Sequence, residues 1–214
     1  MKTQQALLLI DLQNDFCPGG ALAVEEGDAV IAVANQVAMR FHQRGQPVVA
    51  TLDWHPHHHG SFASNAGEVS WTMGELDGLP QVWWPDHCVQ GSKGAELHPE
   101  LNRSVLVKQI YKGTDPRTDS YSAFFDNGQR SQTGLDSWLK SQGVTALTVM
   151  GLATDYCVKY SVLDALRLGY RVSVVVAGCR GVNLEAGDGE RALAEMAASG
   201  ALLINAEGAE GTLR

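Results

Sequence analysis

The chain has 214 residues, of which 44% are hydrophobic, and a formal net charge of -8. Because no linker-like run of Gly, Ser or Pro divides it, the chain can bury one substantial core, and we expect one domain over residues 1–214. The acidic charge and the scattered lysines and arginines exclude a basic face for nucleic acid or an anionic membrane, and they favour a small neutral or cationic partner.

The N-terminal segment carries only Lys2 before a five-residue apolar run at residues 6–10, which Asp11 ends. This run is too short for a signal peptide or a membrane-spanning helix, so we expect a cytoplasmic protein. The four cysteines are spread along the chain without close pairing. This spacing predicts reduced thiols rather than a disulfide framework.

Six short, nearly continuous apolar segments predict strands, and helix patterns that end at glycine lie between most of them. The predicted strands are residues 5–10, 47–52, 104–110, 146–150, 171–177 and 201–205, and the predicted helices are residues 28–44, 134–142, 155–168 and 188–199. The alternation predicts an α/β fold with three layers, α/β/α, and Rossmann-like topology. We expect a mostly parallel central sheet of about six strands with helices on both faces.

Residues 54–103 interrupt this alternation. They contain four of the five tryptophans and six of the seven histidines, with little regular periodicity. A long irregular segment inside a compact domain is more often a functional loop than an accident. We therefore expect an insertion that binds something.

Four predicted strands deliver reactive side chains to one edge of the sheet. The first strand ends at Asp11 and the second at Asp53, Lys112 follows the third, and the fourth leads to Cys157. In open parallel sheets, ligands bind beyond the carboxyl ends of the strands. Each residue alone has an ordinary structural explanation, but together they predict an active site.

Cys157 is the candidate nucleophile. We expect it in the first turn of a helix capped by Thr154 or Asp155, where the helix dipole favours a thiolate, and a nearby Lys112 would lower the thiol pKa further. The alternative is a buried and inert thiol. That alternative is preferred for the remaining cysteines, which lack a helix start behind them or precede proline: Cys17, Cys88 and Cys179.

Asp11 is the candidate proton carrier, which would take the thiol proton and pass it to a leaving amine. Backbone N–H groups around Ala153 and Cys157 could hold a developing oxyanion. These parts predict acyl transfer at an amide-like carbonyl.

Asp53 and His55 lie two residues apart beyond a strand, so both side chains can point to one side, and His87 could return as a third ligand. Two imidazoles and a carboxylate suit iron, zinc or manganese. A solvated, aromatic-rich loop is the alternative, and it is preferred for residues 57–59 because adjacent histidines cannot all converge on one ion.

Several motifs resemble those of the nicotinamidase (pyrazinamidase) branch of the isochorismatase-like cysteine hydrolases. The resemblance rests on DLQNDF at residues 11–16, DWH at 53–55, WWPDHC ending at residue 88, YKG at 111–113 and GLATDYCV at 151–158. It implies hydrolysis of nicotinamide to nicotinate and ammonia in NAD salvage, and by extension hydrolysis of pyrazinamide. It also implies that Cys157, Asp11 and Lys112 form the catalytic set and that a cis peptide precedes Ala153.

The same resemblance implies one divalent ion, Zn, Fe or Mn, that binds the pyridine nitrogen. Its ligands would be Asp53, His55 and His87. Some relatives have a further histidine six residues after the second ligand, where this chain has Ser61, so Ser61 or water could complete the shell. The resemblance also implies that aromatic residues sandwich the substrate ring: Phe16, Trp84 and Tyr121.

Three rival functions remain open at this point. A relative that acts on isochorismate or an N-carbamoyl compound would need no metal at Asp53 and His55. A metal-binding or storage protein would bind ions at residues 55–59 without thiol-dependent turnover. A non-catalytic interaction domain would tolerate Asp11→Ala.

Overall fold

A computed structural model describes residues 4–208. Within that range the chain forms eight strands: β1 Gln4–Ile10, β2 Val48–Asp53, β3 Met73–Leu76, β4 Leu79–Val82, β5 Lys108–Lys112, β6 Val144–Leu152, β7 Arg171–Arg180 and β8 Leu202–Ile204. Six of them make one parallel sheet in the order β5-β2-β1-β6-β7-β8. If only these six are counted, the order is 3-2-1-4-5-6, that of the doubly wound fold. The predicted fold class is confirmed.

Helices cover both faces of this sheet. They are α1 Ala29–Gln43, α2 Ala63–Ala66, α3 Leu135–Ser141, α4 Lys159–Arg167 and α5 Asp188–Ala198. Because the crossovers between parallel strands are right-handed, α1 covers one face, and α3, α4 and α5 cover the other. No helix within residues 4–208 is long and apolar enough to span a bilayer.

Burial of the strands explains their nearly continuous apolar sequences. All six residues of β2 are buried, and so are all of β1 after Gln4. A strand with helices on both faces has no solvent side, so its sequence does not alternate.

Two predicted elements begin four residues later in the structure. The third predicted strand begins at Lys108 rather than at residue 104, because residues 103–105 form a 3-10 turn in which Asn102 accepts a hydrogen bond from the Ser104 N–H. The helix predicted from residue 155 becomes α-helical only at Lys159, because residues 154–158 form a π-helical turn.

The insertion at 54–103 is more regular than its sequence suggests. It contains α2 and an antiparallel hairpin of β3 and β4. Asp77 and Gly78 connect the two strands, both with positive φ, 51° and 81°. An Asp-Gly pair of this kind is the usual signal for a two-residue hairpin, and the predicted irregularity was wrong here.

Strand order reverses between β1 and β6: β2 and β5 lie on one side of β1, and β6, β7 and β8 lie on the other. The carboxyl ends of β5, β2, β1 and β6 therefore lie side by side, in that order. At the β1–β6 contact only glycine fits, because a Cβ on Gly151 would stand 2.2 Å from the carbonyl oxygen of Ile10, and Gly151 has φ of 136°. This close approach brings the segment after β6 against the end of β1.

Candidate active site

Lys112 is the centre of the buried polar cluster at this edge. Its Nζ lies 2.8 Å from Asp11 Oδ2, 3.0 Å from Asp53 Oδ1 and 3.3 Å from Cys157 Sγ. It also donates to the carbonyl oxygen of Ser120 at 2.9 Å. The structure thus brings together the four side chains predicted at the carboxyl ends of β5, β2, β1 and β6.

Asp11 is fully buried directly after β1, in a left-handed backbone conformation with φ of 48°. Burial raises the pKa of its carboxyl, although the Lys112 ammonium and the Thr51 hydroxyl oppose the shift. Thr51 donates to Asp11 Oδ1 at 2.6 Å. A carboxyl group with a raised pKa is suited to exchange protons near neutral pH.

Cys157 lies 6% exposed in the π-helical turn. Burial raises the pKa of its thiol well above the ordinary value, and the opposing effect of Lys112 does not overcome burial together with the nearby Asp11 and Asp53 charges. The expected net lowering of the thiol pKa is therefore wrong for the protein without substrate. The thiol needs a base to become a nucleophile, and Asp11 is close enough to bond with it.

The predicted helix cap is also wrong. Ala153 occupies the N-cap position, without a side-chain cap. The Asp155 carboxylate instead accepts hydrogen bonds from the N–H groups of Val182 at 2.9 Å and Asn183 at 2.7 Å. The peptide bond between Leu152 and Ala153 is cis, as the resemblance implied.

Three ligand-type side chains meet beside Lys112. Asp53 Oδ2 lies 3.0 Å from His55 Nε2 and 3.2 Å from His87 Nε2, and all three residues are buried. Burial alone would raise the pKa of Asp53, but His55 and Lys112 hold it well below its usual range. Asp53 therefore stays ionised.

The hydrogen bonds of both histidines fit a metal ion. His55 Nδ1 donates to the carbonyl oxygen of Gly113 at 2.9 Å, and His87 Nδ1 donates to that of Pro85 at 2.7 Å. In a neutral imidazole these bonds leave Nε2 as the lone-pair nitrogen, and both Nε2 atoms face Asp53 Oδ2. Two Nε2 lone pairs and an ionised carboxylate oxygen that face one another form a donor set that suits a divalent ion.

The side chain of Ser61 contacts a further histidine of this region. Its hydroxyl lies 2.7 Å from His59 Nδ1. His59 is fully buried, and its Nε2 has no hydrogen-bond partner. Burial and the neighbouring His55 lower the pKa of His59 to about 4. The solvated loop expected at residues 57–59 is thus confirmed for the exposed His57 and His58 but wrong for His59.

His59 and Asp119 are polar groups of this site that sequence reasoning missed. One donor atom of each lies within 4.8 Å of the other and of a donor atom of His55. The Asp119 carboxylate accepts from Gln81 Nε2 at 2.9 Å and from the Ser120 N–H at 2.8 Å. No motif marks Asp119, whereas the histidine run did mark His59 and was discounted.

A cavity of about 30 Å³ opens onto Cys157. Its walls include the predicted aromatic residues Phe16, Trp84 and Tyr121, together with Asp53, His87, Asp119, Ala153 and three residues that the sequence did not single out: Leu22, Tyr156 and Val182. The Trp84 ring lies edge-on to Tyr156, with centroids 4.9 Å apart. The cavity thus places a thiol, a ligand cluster and flat rings around one space.

The other thiols lack this environment. Burial raises the pKa of Cys17 to about 11 and that of Cys179 to about 12, and it raises that of Cys88 well above its ordinary value. No ammonium group donates to any of these three sulfur atoms in residues 4–208. This agrees with their predicted structural role.

Known proteins share this fold and sequence. Residues 5–208 match the isochorismatase domain model. Escherichia coli nicotinamidase is 58% identical over 93% of both chains. The Acinetobacter baumanii nicotinamidase/pyrazinamidase structure covers 97% of this chain and 99% of its own, with a TM-score of 0.90 and 40% identity. The Pyrococcus horikoshii pyrazinamidase structure, solved in complex with zinc, covers 94% and 99%, with a TM-score of 0.78 and 37% identity.

Proposed function

The chain belongs to the isochorismatase family, and from this premise we propose that it hydrolyses nicotinamide to nicotinate and ammonia. It is an amidohydrolase of the nicotinamidase type, which serves NAD salvage. One domain match over residues 5–208 supports a single catalytic unit, with residues 54–103 as its metal-binding insertion.

Acylation begins at Cys157. Its sulfur attacks the carboxamide carbon while Asp11 takes the thiol proton. The N–H groups of Ala153 and Cys157 donate hydrogen bonds to the carboxamide oxygen as it becomes negatively charged. Asp11 then gives its proton to the departing nitrogen, the C–N bond breaks, and ammonia leaves. The product is a thioester on Cys157.

Hydrolysis of the thioester reverses these roles. Asp11 takes a proton from water as the water oxygen attacks the thioester carbon. The C–S bond breaks, Asp11 returns the proton to the sulfur, and nicotinic acid leaves and ionises to nicotinate. Lys112 keeps its charge throughout, because the pull of Asp11 and Asp53 outweighs burial and raises its pKa well above the ordinary value.

Asp53, His55 and His87 would hold one divalent ion, with Ser61 turned to His59 and water as the remaining ligand. Zinc, iron and manganese suit this donor set, and the zinc complex of the P. horikoshii relative favours zinc. A bound ion would supply a Lewis acid for the pyridine nitrogen and so orient the ring. Pyrazinamide carries a ring nitrogen at the matching position, so it should also be a substrate.

The contact of one ammonium with both Asp11 and Cys157, beside the three metal-type ligands, carries this proposal. A storage protein would need no thiol, and relatives without a metal would need no buried histidine pair. Both the thiol cluster and the ligand cluster border the same cavity.

The test is ammonia release from nicotinamide by purified protein that is untreated, alkylated at cysteine, or stripped of metal and reconstituted. We expect activity to be lost under both treatments and regained with metal. The Cys157→Ala variant should lose at least about 10³-fold in kcat, whereas Cys179→Ala, at a buried cysteine of β7 that pairs with Gly151, should not. Residual turnover in Cys157→Ala that matches the untreated protein would refute the mechanism.

A further inference from the structure

The cavity at Cys157 is too small for the proposed substrate. Its volume of about 30 Å³ has room for a water molecule or two. An engineered protein cavity that binds benzene measures roughly 150 Å³, and a pyridine carboxamide is larger than benzene. Some wall must therefore move before the ring can reach the thiol.

On one side, a single residue, Val182, separates the cavity from solvent. Among the described residues that line the cavity, three are partly exposed, namely Tyr121, Tyr156 and Val182. Tyr121 and Tyr156 pack against each other at 5.4 Å and against Trp84, so they belong to a rigid aromatic cluster. Val182 lies in residues 181–187, here termed the Val182 loop, which connects β7 to α5 and is exposed at residues 183–186.

The Val182 loop is fastened to the protein body by a carboxylate. Both oxygens of Asp155 accept backbone N–H groups of the loop, at Val182 and Asn183. Asp155 is 6% exposed and lies two residues before Cys157 in the same turn. At the outer end of the loop, Asn183 Oδ1 accepts from the Gly189 N–H at 2.8 Å, which ties it to the start of α5.

A second connection at the base of the loop is weak. Arg180 Nε lies 3.3 Å from Glu26, with side chains that are 32% and 70% exposed. An ion pair in water stabilises little. Val182 itself packs against the core, and Asp155 supplies the hydrogen bonds that join the loop to the nucleophile turn.

We propose that the Val182 loop is the lid of the active site and that Asp155 is the positioning residue that latches it. Release of the two N–H groups lets Val182 swing away and admits the ring. Closure returns Val182 to the cavity wall and excludes bulk water from the thioester. The size argument for a lid rests on the proposed function, whereas the test of access to Cys157 does not.

The experiment measures access to Cys157 without requiring turnover. Wild-type protein and Asp155→Asn are alkylated with iodoacetamide and with a bulky maleimide, and modification of the Cys157 peptide is followed by mass spectrometry. The variant keeps one acceptor oxygen and turns an amide N–H₂ towards a backbone N–H. We expect the ratio of the bulky to the small reagent's rate to rise about tenfold, the factor for loss of one charge-assisted hydrogen bond.

Asp164→Asn is the matched control. Asp164 is 3% exposed on α4, beyond the nucleophile turn, and pairs with Arg167 rather than with the lid. The ratio of the bulky to the small reagent's rate in Asp164→Asn should equal that of the wild type. In Asp155→Asn the KM for nicotinamide should also change more than kcat, which a general loss of stability would not produce.

Asn183→Gly provides a second variant, in case Asp155→Asn does not fold. Asn183 has φ of 53°, which glycine accepts, and the change removes the side-chain hydrogen bonds to Gly189 and Gly181. Because both Asp155 bonds remain, we expect a smaller rise in the ratio of the bulky to the small reagent's rate than in Asp155→Asn. Faster amide exchange at Val182 and Asn183 in a variant, with an unchanged ratio of alkylation rates, would overturn the proposed lid. A raised ratio in the variants, with no turnover of nicotinamide by the wild type, would support the lid and reject the proposed substrate.

Discussion

Two carboxylates share the ammonium of Lys112, yet their surroundings separate their roles. Asp53 faces two imidazoles and Lys112, which keep its pKa low and the group ionised as a ligand. Asp11 is buried with a single hydroxyl donor, and burial raises its pKa. When neighbouring acids are separated in this way, the one with the raised pKa is the acid and base of the reaction.

This assignment predicts the acid limb of the pH profile. Asp11 must be ionised to accept the thiol proton, so kcat/KM falls as pH decreases through its raised pKa, above the ordinary value of about 4 for aspartate. Thr51→Ala removes the hydroxyl that favours the ionised form. The limb should then move to higher pH by roughly one unit.

The profile is measured as kcat/KM against pH for both proteins. Thr148→Ala, a buried change on the neighbouring strand β6, is the control and should leave the limb in place. A limb that moves to lower pH in Thr51→Ala would contradict the role of Asp11.

His87→Ala tests the ligand cluster at the residue scale. Loss of a supporting group outside the shell costs ~10–100-fold in metal affinity, and loss of a ligand should cost more. Competition with a fluorescent chelator gives the affinity for zinc. His57→Ala, an exposed histidine from the same insertion, should bind as the wild type does; equal affinities for all three proteins would remove His87 from the site.

At the scale of elements, the approach of β6 to β1 sets the position of the nucleophile turn. Gly151→Ala would drive a Cβ to 2.2 Å from the Ile10 carbonyl at positive φ. We expect a loss of about 3 kcal/mol or more in the free energy of unfolding. Urea unfolding measures it.

Gly143→Ala is the control for backbone conformation alone. Gly143 also has positive φ, 69°, but a Cβ there would meet nothing closer than 3.9 Å. It should cost only about 1–2 kcal/mol. Equal losses at the two positions would mean that strand contact at Gly151 is unimportant.

The sequence predicts the elements well where one local rule dominates. Buried strands and glycine-ended helices give β1, β2, α1 and α5 within about a turn, and the strand ends give the catalytic edge. It fails where distant groups compete with local preference. Asp155 resembles a helix cap but bonds residues 182 and 183, and Asp119 joins the site through a fold contact with Gln81 that no nearby residue reveals.

At the scale of the whole molecule, the net charge of -8 affects the association of charged substrates but not of neutral ones. Nicotinamide is neutral and gains nothing from electrostatic steering, whereas an anionic substrate such as isochorismate would be repelled. We expect kcat/KM for nicotinamide to change less than about twofold between ~0.02 and ~0.5 M salt, where screening becomes nearly complete. A steep dependence of kcat/KM for nicotinamide on salt in steady-state assays would contradict this expectation.

The reversal of strand order between β1 and β6 also determines when the active site assembles during folding. Asp11 is synthesised long before Cys157, yet it meets Cys157 only after β6 has inserted beside β1. Pairing between segments so distant in sequence is slow compared with helix formation, because the intervening chain must first be closed into a loop. A nascent chain on the ribosome therefore cannot hydrolyse an amide until α4 has emerged, and recovery of catalysis during refolding reports the joining of the two halves of the sheet.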